Sequence, residues 1–178
     1  MKRFLKSLVT ISALSSLVII PAFLSVSRAS AETQKGTDAS YIGAGVAAGV
    51  TNGGKSGDAA TFGGSITGRV KLGNTPFSAR GNVLWSDETS AIIPEVSLDL
   101  PIANKTNAFI TGGYSFVESD GKPTPIGNRD AVVVGAGMES EVTKNFLVYT
   151  NAKVGLGAYQ NSDASAVSIN GGIGYRFR

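Results

Sequence analysis

From Ile42 onward, apolar side chains occupy every second residue over stretches of about ten, and polar turns separate the stretches. Ile42, Ala44, Val46, Ala48 and Val50 form one such set, with Gly43, Gly45, Ala47 and Gly49 between them. After a polar loop from Thr51 to Ala59, Phe62, Ile66, Val70 and Leu72 alternate with Thr61, Ser65, Thr67, Arg69 and Lys71, and the chain turns at Gly73-Asn74. Phe77, Ala79, Val83 and Trp85 then alternate with Ser78, Arg80 and Asn82. Beyond Asp87 to Ser90, Ile92, Val96, Leu98 and Leu100 alternate with Glu95, Ser97 and Asp99. A turn at Ala103 to Lys105 leads to Ala108, Ile110, Tyr114 and Phe116, set against Asn107, Thr111 and Ser115.

A loop rich in proline, glycine and charge runs from Glu118 to Arg129. In the next stretch, Asp130 to Ser140, Val132, Val134, Ala136 and Met138 share one face and Gly135, Gly137 and Glu139 the other, with Val133 against the frame. After Glu141 to Asn145, Phe146, Val148, Ala152, Val154 and Leu156 alternate with Asn151, Lys153, Gly155 and Gly157. A loop at Gln160 to Asp163 precedes Val167, Ile169, Ile173, Tyr175 and Phe177, which alternate with Ser168, Asn170, Gly172, Gly174 and Arg176.

Period-two alternation predicts strands, and these have the length of strands that cross a bilayer at a tilt. The expected fold is all-β: a closed eight-stranded antiparallel up-and-down transmembrane β-barrel, strand one paired with strand eight. An even strand count puts both strand ends of the chain on one side, and shorter connections alternate with longer ones. With the chain going up and down by turns, Phe62, Trp85, Tyr114 and Phe116 fall near the outer strand ends. Phe77, Phe146, Tyr175 and Phe177 fall near the opposite ends. Two aromatic girdles are what two membrane interfaces favour.

The first residues obey another pattern. Lys2, Arg3 and Lys6 form a basic head, Leu8 to Val26 is uncharged and mostly apolar, and Ala29-Ser-Ala31 supplies small residues for a cleavage site. Residues 1–31 are therefore expected to be a signal peptide, preceding a polar N-terminal lead at 32–40 and a barrel domain at 41–178. An uncleaved anchor is the alternative, because the run is long enough to span a bilayer, but Pro21 and several serines interrupt it.

Charge then reads differently. The whole chain is +3 at neutral pH, yet Lys2, Arg3, Lys6 and Arg28 leave with the leader, so twelve basic residues remain against thirteen acidic ones. No basic surface points to nucleic acid. The absence of cysteine excludes disulfides and thiolate chemistry. The absence of histidine removes the commonest general base and metal ligand. Neither catalysis nor a cofactor is expected.

One motif matches in letters alone. Gly49-Val-Thr-Asn-Gly-Gly54-Lys55-Ser56 fits a phosphate-binding loop, but such a loop opens a helix and the residues after it alternate as a strand. The inward charges are the better constellation: Arg69, Lys71, Arg80, Glu95, Asp99, Glu139, Lys153 and Arg176 share one interior. Unpaired charge there would be costly, so Arg80 is expected to pair with Glu95, its neighbour across adjacent strands, within a compensating network. That network reads either as a polar plug or as a gate in a narrow diffusion pore, for which glycine and serine would leave room for water. The same face is too sparse in apolar area to form a greasy core. This sets the barrel apart from a soluble exported barrel that binds an apolar ligand.

The architecture from Tyr41 to Phe177, the leader and the Tyr-x-Phe ending resemble the small OmpA/OmpX-like family of bacterial outer-membrane barrels. The resemblance implies residence in the outer membrane as a monomer, contact with its lipid, and recognition of the last strand by the insertion machinery of that membrane. It implies a structural or surface-interaction role, with a porin-like role as the alternative.

Overall fold

Alternating side chains suit extended backbone, and the computed structural model, which describes residues 35–53 and 61–177, is built from eight strands. They are β1 (Ser40–Gly49), β2 (Phe62–Lys71), β3 (Phe77–Trp85), β4 (Ser90–Ala103), β5 (Thr106–Val117), β6 (Ala131–Glu141), β7 (Phe146–Leu156) and β8 (Ala166–Phe177). Each pairs antiparallel with its neighbour, and β1 pairs with β8 from Ser40↔Phe177 to Gly49↔Ser168, which closes the barrel and leaves no free edge. The leader, the first residues of the lead, and Lys55 and Ser56 lie outside the described residues. The element after the phosphate-loop match is the strand β2.

Tight turns join β2 to β3, β4 to β5 and β6 to β7 at the end where β1 begins and β8 finishes. Gly73 takes a positive φ in the first, and Lys105 takes φ 59° in the second. At the other end the connections from β1 to β2, β5 to β6 and β7 to β8 are longer, while β3 passes to β4 through only residues 86–89. In β4, Pro94 has no N–H to give, and the pairing with β5 passes from Ile92↔Phe116 to Glu95↔Gly113 across it.

The outward set carries no charged side chain on any strand. Val46, Ile66, Ile110, Val134 and Ile173 are all exposed there, with Val83, Leu98 and Val154 partly covered by neighbours on the same face. Val133 settles into the interior, so the frame of β6 is regular.

The interior departs from the sequence expectation in having apolar cores. Leu84, Ile93, Val117, Val133 and Ala47 cluster with Ile126 of the β5–β6 loop at the end away from the tight turns. Tyr41, Leu147 and Tyr149 cluster with Ala39 at the other end. The strand members of both clusters hold inward positions by parity, where they sit among so many glycines that the face looks empty when read as a sum.

Candidate functional site

The lumen collects six charged side chains of the strands into two groups, each neutral. In the group nearer the termini, Arg69 binds Asp99 (Nη2 to Oδ2, 2.8 Å) and Glu139 (Nη1 to Oε1, 2.8 Å). Arg80 binds the remaining oxygen of each, Asp99 Oδ1 and Glu139 Oε2, both at 3.0 Å from its Nη2. All four are buried. Two guanidinium forks spanning two carboxylates is the geometry in which buried pairs offset their desolvation best. Hydroxyls and amides supply the rest: Ser97 donates to Asp99 at 2.8 Å, Ser78 also donates to Asp99, Tyr41 donates to Glu139 at 3.0 Å and Asn107 donates to Glu139 at 3.2 Å. Arg80 in turn lies over the Phe109 ring, 3.8 Å from its centroid.

The second group is nearer the opposite end. Lys153 Nζ donates to both oxygens of Glu95, at 2.5 and 2.6 Å, while Asn82 and Thr111 donate to the same carboxylate at 2.5 and 3.2 Å. The remaining two predicted lumen charges sit at the rim beside the termini. Lys71 pairs with Asp38, and Arg176 pairs with Glu141 at 2.7 Å.

The expected Arg80 to Glu95 pair does not form, although the two are directly opposed in the register of β3 and β4. Arg80 leans toward Asp99 and across to Glu139 on β6. Glu95 reaches Lys153 on β7. An eight-stranded wall is narrow enough for a long side chain to cross it, so adjacent strands are not the preferred partners.

Glycine is what lets the large side chains lie flat. A Cβ on Gly43 would stand 2.7 Å from the Tyr149 ring, and one on Gly172 would stand 2.6 Å from the Tyr149 hydroxyl. Gly174 lies under Tyr41 and Leu147, and Gly137 under Phe109. The glycines thus make room for side chains of the barrel itself. Sequence reading missed Tyr41, Phe109 and Tyr149 as interior residues, though each stands at an inward position of its strand.

Both ends are closed over. At the end where β1 begins, residues 35–39 fold across the mouth: Gly36 N donates to Ala103 O (2.9 Å), Thr37 exchanges backbone bonds with the Asn107 amide, and Arg69 Nη1 donates to the carbonyls of Thr37 and Ala39. The described part of the polar lead, residues 35–39, is thus built into the barrel. At the other end the β5–β6 loop turns inward at Thr124, whose hydroxyl donates to Gly127 O (2.6 Å), and buries Pro125 and Ile126. Gly127 takes φ 113° with Ala158 packed against it. Tyr159 donates to Thr51 O (2.7 Å), Ser86 to Pro123 O (2.7 Å) and Lys122 to Glu88 (2.6 Å), so the loops brace one another.

The predicted aromatics all point outward. Phe62, Trp85, Tyr114 and Phe116 lie toward the loop end, with Tyr114 and Phe116 ring centroids 4.9 Å apart. Phe77, Phe146, Tyr175 and Phe177 lie toward the turns, with Phe146 and Tyr175 edge to face at 5.6 Å.

No protein-family model matches the chain, and no curated protein matches it either. Solved structures do. The chain is similar in structure to Ail, the attachment invasion locus protein of Yersinia pestis, in complex with the heparin analogue sucrose octasulfate (17% identity, TM-score 0.52, 78% of this chain and 97% of that one). It is likewise similar to Neisserial surface protein A (15%, TM-score 0.53, 78% and 97%) and to the N-terminal β-barrel domain of Pseudomonas aeruginosa OprF (14%, TM-score 0.50, 79% and 98%). The fold is that of the small OmpA/OmpX-like eight-stranded barrels.

Proposed function

We propose that the chain is an integral outer-membrane β-barrel with a sealed lumen, and that its working surface is the loop end. One observation carries this reading: the outward face of all eight strands lacks charge, while the six charged side chains buried between them are matched, three cations to three anions. A soluble barrel has the reverse distribution. Lipid is the solvent that an uncharged, half-exposed face with aromatic ends suits. The eight strands, the leader pattern and the Tyr175-x-Phe177 ending support export and insertion of the closing strand by the outer-membrane machinery.

A narrow pore fits less well. The glycines that would leave room for water are covered by Tyr149, Phe109, Tyr41 and Leu147, and an apolar plug containing Ile126 lies above the charges. The reading is non-enzymatic, as the buried carboxylates are engaged by cations and hydroxyls.

The loop end suggests the kind of partner. Asp87, Glu118, Asp120, Asp130 and Asp163 lie there, whereas Lys122 is taken by Glu88 and Arg129 is the other described cation. An acidic rim repels polyanions, so the heparin analogue held by Ail is a poor guide to the ligand of this chain, and a cationic or neutral partner fits better. Fractionation tests the premise: the protein should leave the envelope with detergent. Recovery from the periplasm without it would overturn the membrane reading.

A further inference from the structure

The end where β1 begins and β8 finishes carries charge of the opposite sign, and much of it is concentrated at one corner. Lys105 forms the β4–β5 turn with Asn104, Lys35 bridges to Asn104, and Lys144 lies in the β6–β7 turn. The β4–β5 turn meets the end of β6, where Glu141 N donates to Lys105 O at 2.9 Å, and the β6–β7 turn follows directly from that residue. The three lysines are exposed and have no ion-pair partner among the described residues. The acids nearby are already engaged: Glu141 by Arg176 (2.7 Å) and by the Thr37 hydroxyl (2.5 Å), and Asp38 by Lys71.

Two further features fix the chemistry. The outward apolar rows of β4 and β6 continue into this corner as Ile102 and Val142, which are 52% and 64% exposed. A turn facing bulk water has no use for them, whereas the boundary between acyl chains and headgroups suits apolar side chains flanked by lysines. In addition, Lys105 holds φ 59°, a conformation that glycine or asparagine adopts more readily. Turn geometry alone therefore does not account for a lysine there.

We propose that this corner seats an anionic phospholipid headgroup in the leaflet at the tight-turn end of the barrel, with Lys35, Lys105 and Lys144 on the phosphate and Ile102 and Val142 at the acyl boundary. The inference rests on the membrane reading above. A cell-wall polymer would also meet the charges, but it would leave Ile102 and Val142 in water.

Native mass spectrometry of the full mature chain, loaded from mixed phosphatidylglycerol and phosphatidylcholine micelles, tests the seat. Each lysine near an anionic surface is worth about fivefold in binding at low salt, so phosphatidylglycerol should be retained preferentially. The triple variant Lys35→Gln, Lys105→Asn, Lys144→Gln should lose the preference while keeping its β circular dichroism. High salt should weaken the preference of the unaltered chain. Equal retention of the two lipids, or a preference that survives in the folded triple variant, would overturn the proposal. So would charge-dependent sedimentation with isolated cell wall in place of a lipid preference. Failure of the unaltered protein to enter bilayers at all would instead remove the membrane reading, and the seat with it.

Discussion

Arg80 and Glu95 face each other across β3 and β4, yet they belong to different ionic groups: Arg80 binds Asp99 and Glu139, and Glu95 binds Lys153. Double-mutant cycles should separate them. Coupling between Glu95 and Lys153 is expected in the upper part of a range of about 0.5 to 3 kcal/mol, and coupling between Arg80 and Glu95 should be clearly smaller. Removing Lys153 alone should cost about 3 to 5 kcal/mol, since it strands a buried carboxylate. Denaturant unfolding of the four proteins in each cycle measures both. Larger coupling for Arg80 and Glu95 would reinstate the cross-strand pair.

Strand count, turn positions and the inward or outward sense of side chains were legible because a period of two admits no other regular structure. The lumen partners were not. Register places Arg80 beside Glu95, but shear and the short span of the barrel bring β6 and β7 equally close, and neither appears in a pattern of alternate residues. The apolar cap was hidden for a different reason. Ile126 comes from a loop rich in proline and glycine, where alternation offers no guide to burial. Tyr41, Phe109 and Tyr149 could have been found, since each stands between two outward residues of its strand.

The inward glycines should be intolerant and an outward one permissive. Gly43→Ala places a methyl 2.7 Å from the Tyr149 ring and 2.9 Å from Ile173 O, an overpacking worth about 1 to 3 kcal/mol. Gly112 faces outward, and a methyl added there would meet nothing within 4 Å, so Gly112→Ala should be neutral or stabilising by up to about 1 kcal/mol. Paired refolding titrations in detergent check this. A tolerant Gly43 would mean that Tyr149 does not rest on it.

Arginine on the outward face reports the solvent. At Val134 or Ile110, mid-strand and exposed, it should cost about 2 to 4 kcal/mol in bilayers. The same change at Asp163, in a loop, should cost little. Unfolding in lipid vesicles compares them. Equal tolerance at the three sites would mean that the face does not meet hydrocarbon.

The last expectation concerns conduction, and it comes from the order of layers along the barrel. Water entering from the tight-turn end meets residues 35–39, then Tyr41, Tyr149 and the Arg69, Arg80, Asp99 and Glu139 group. Water entering from the loops meets Ile126 on Leu84 and Ile93. Reconstituted protein should therefore show no steady single-channel current. Under a simple gate, removing one charge would suffice, and Arg80→Ala would conduct. Here the apolar cap still closes the far side, so Arg80→Ala should stay silent while losing stability. Opening requires both barriers to go: Arg80→Ala combined with replacement of residues 124–127 by a short glycine linker should raise conductance well above either change alone. Stable currents from the unaltered chain would reject the sealed lumen, and currents from Arg80→Ala alone would restore the gate.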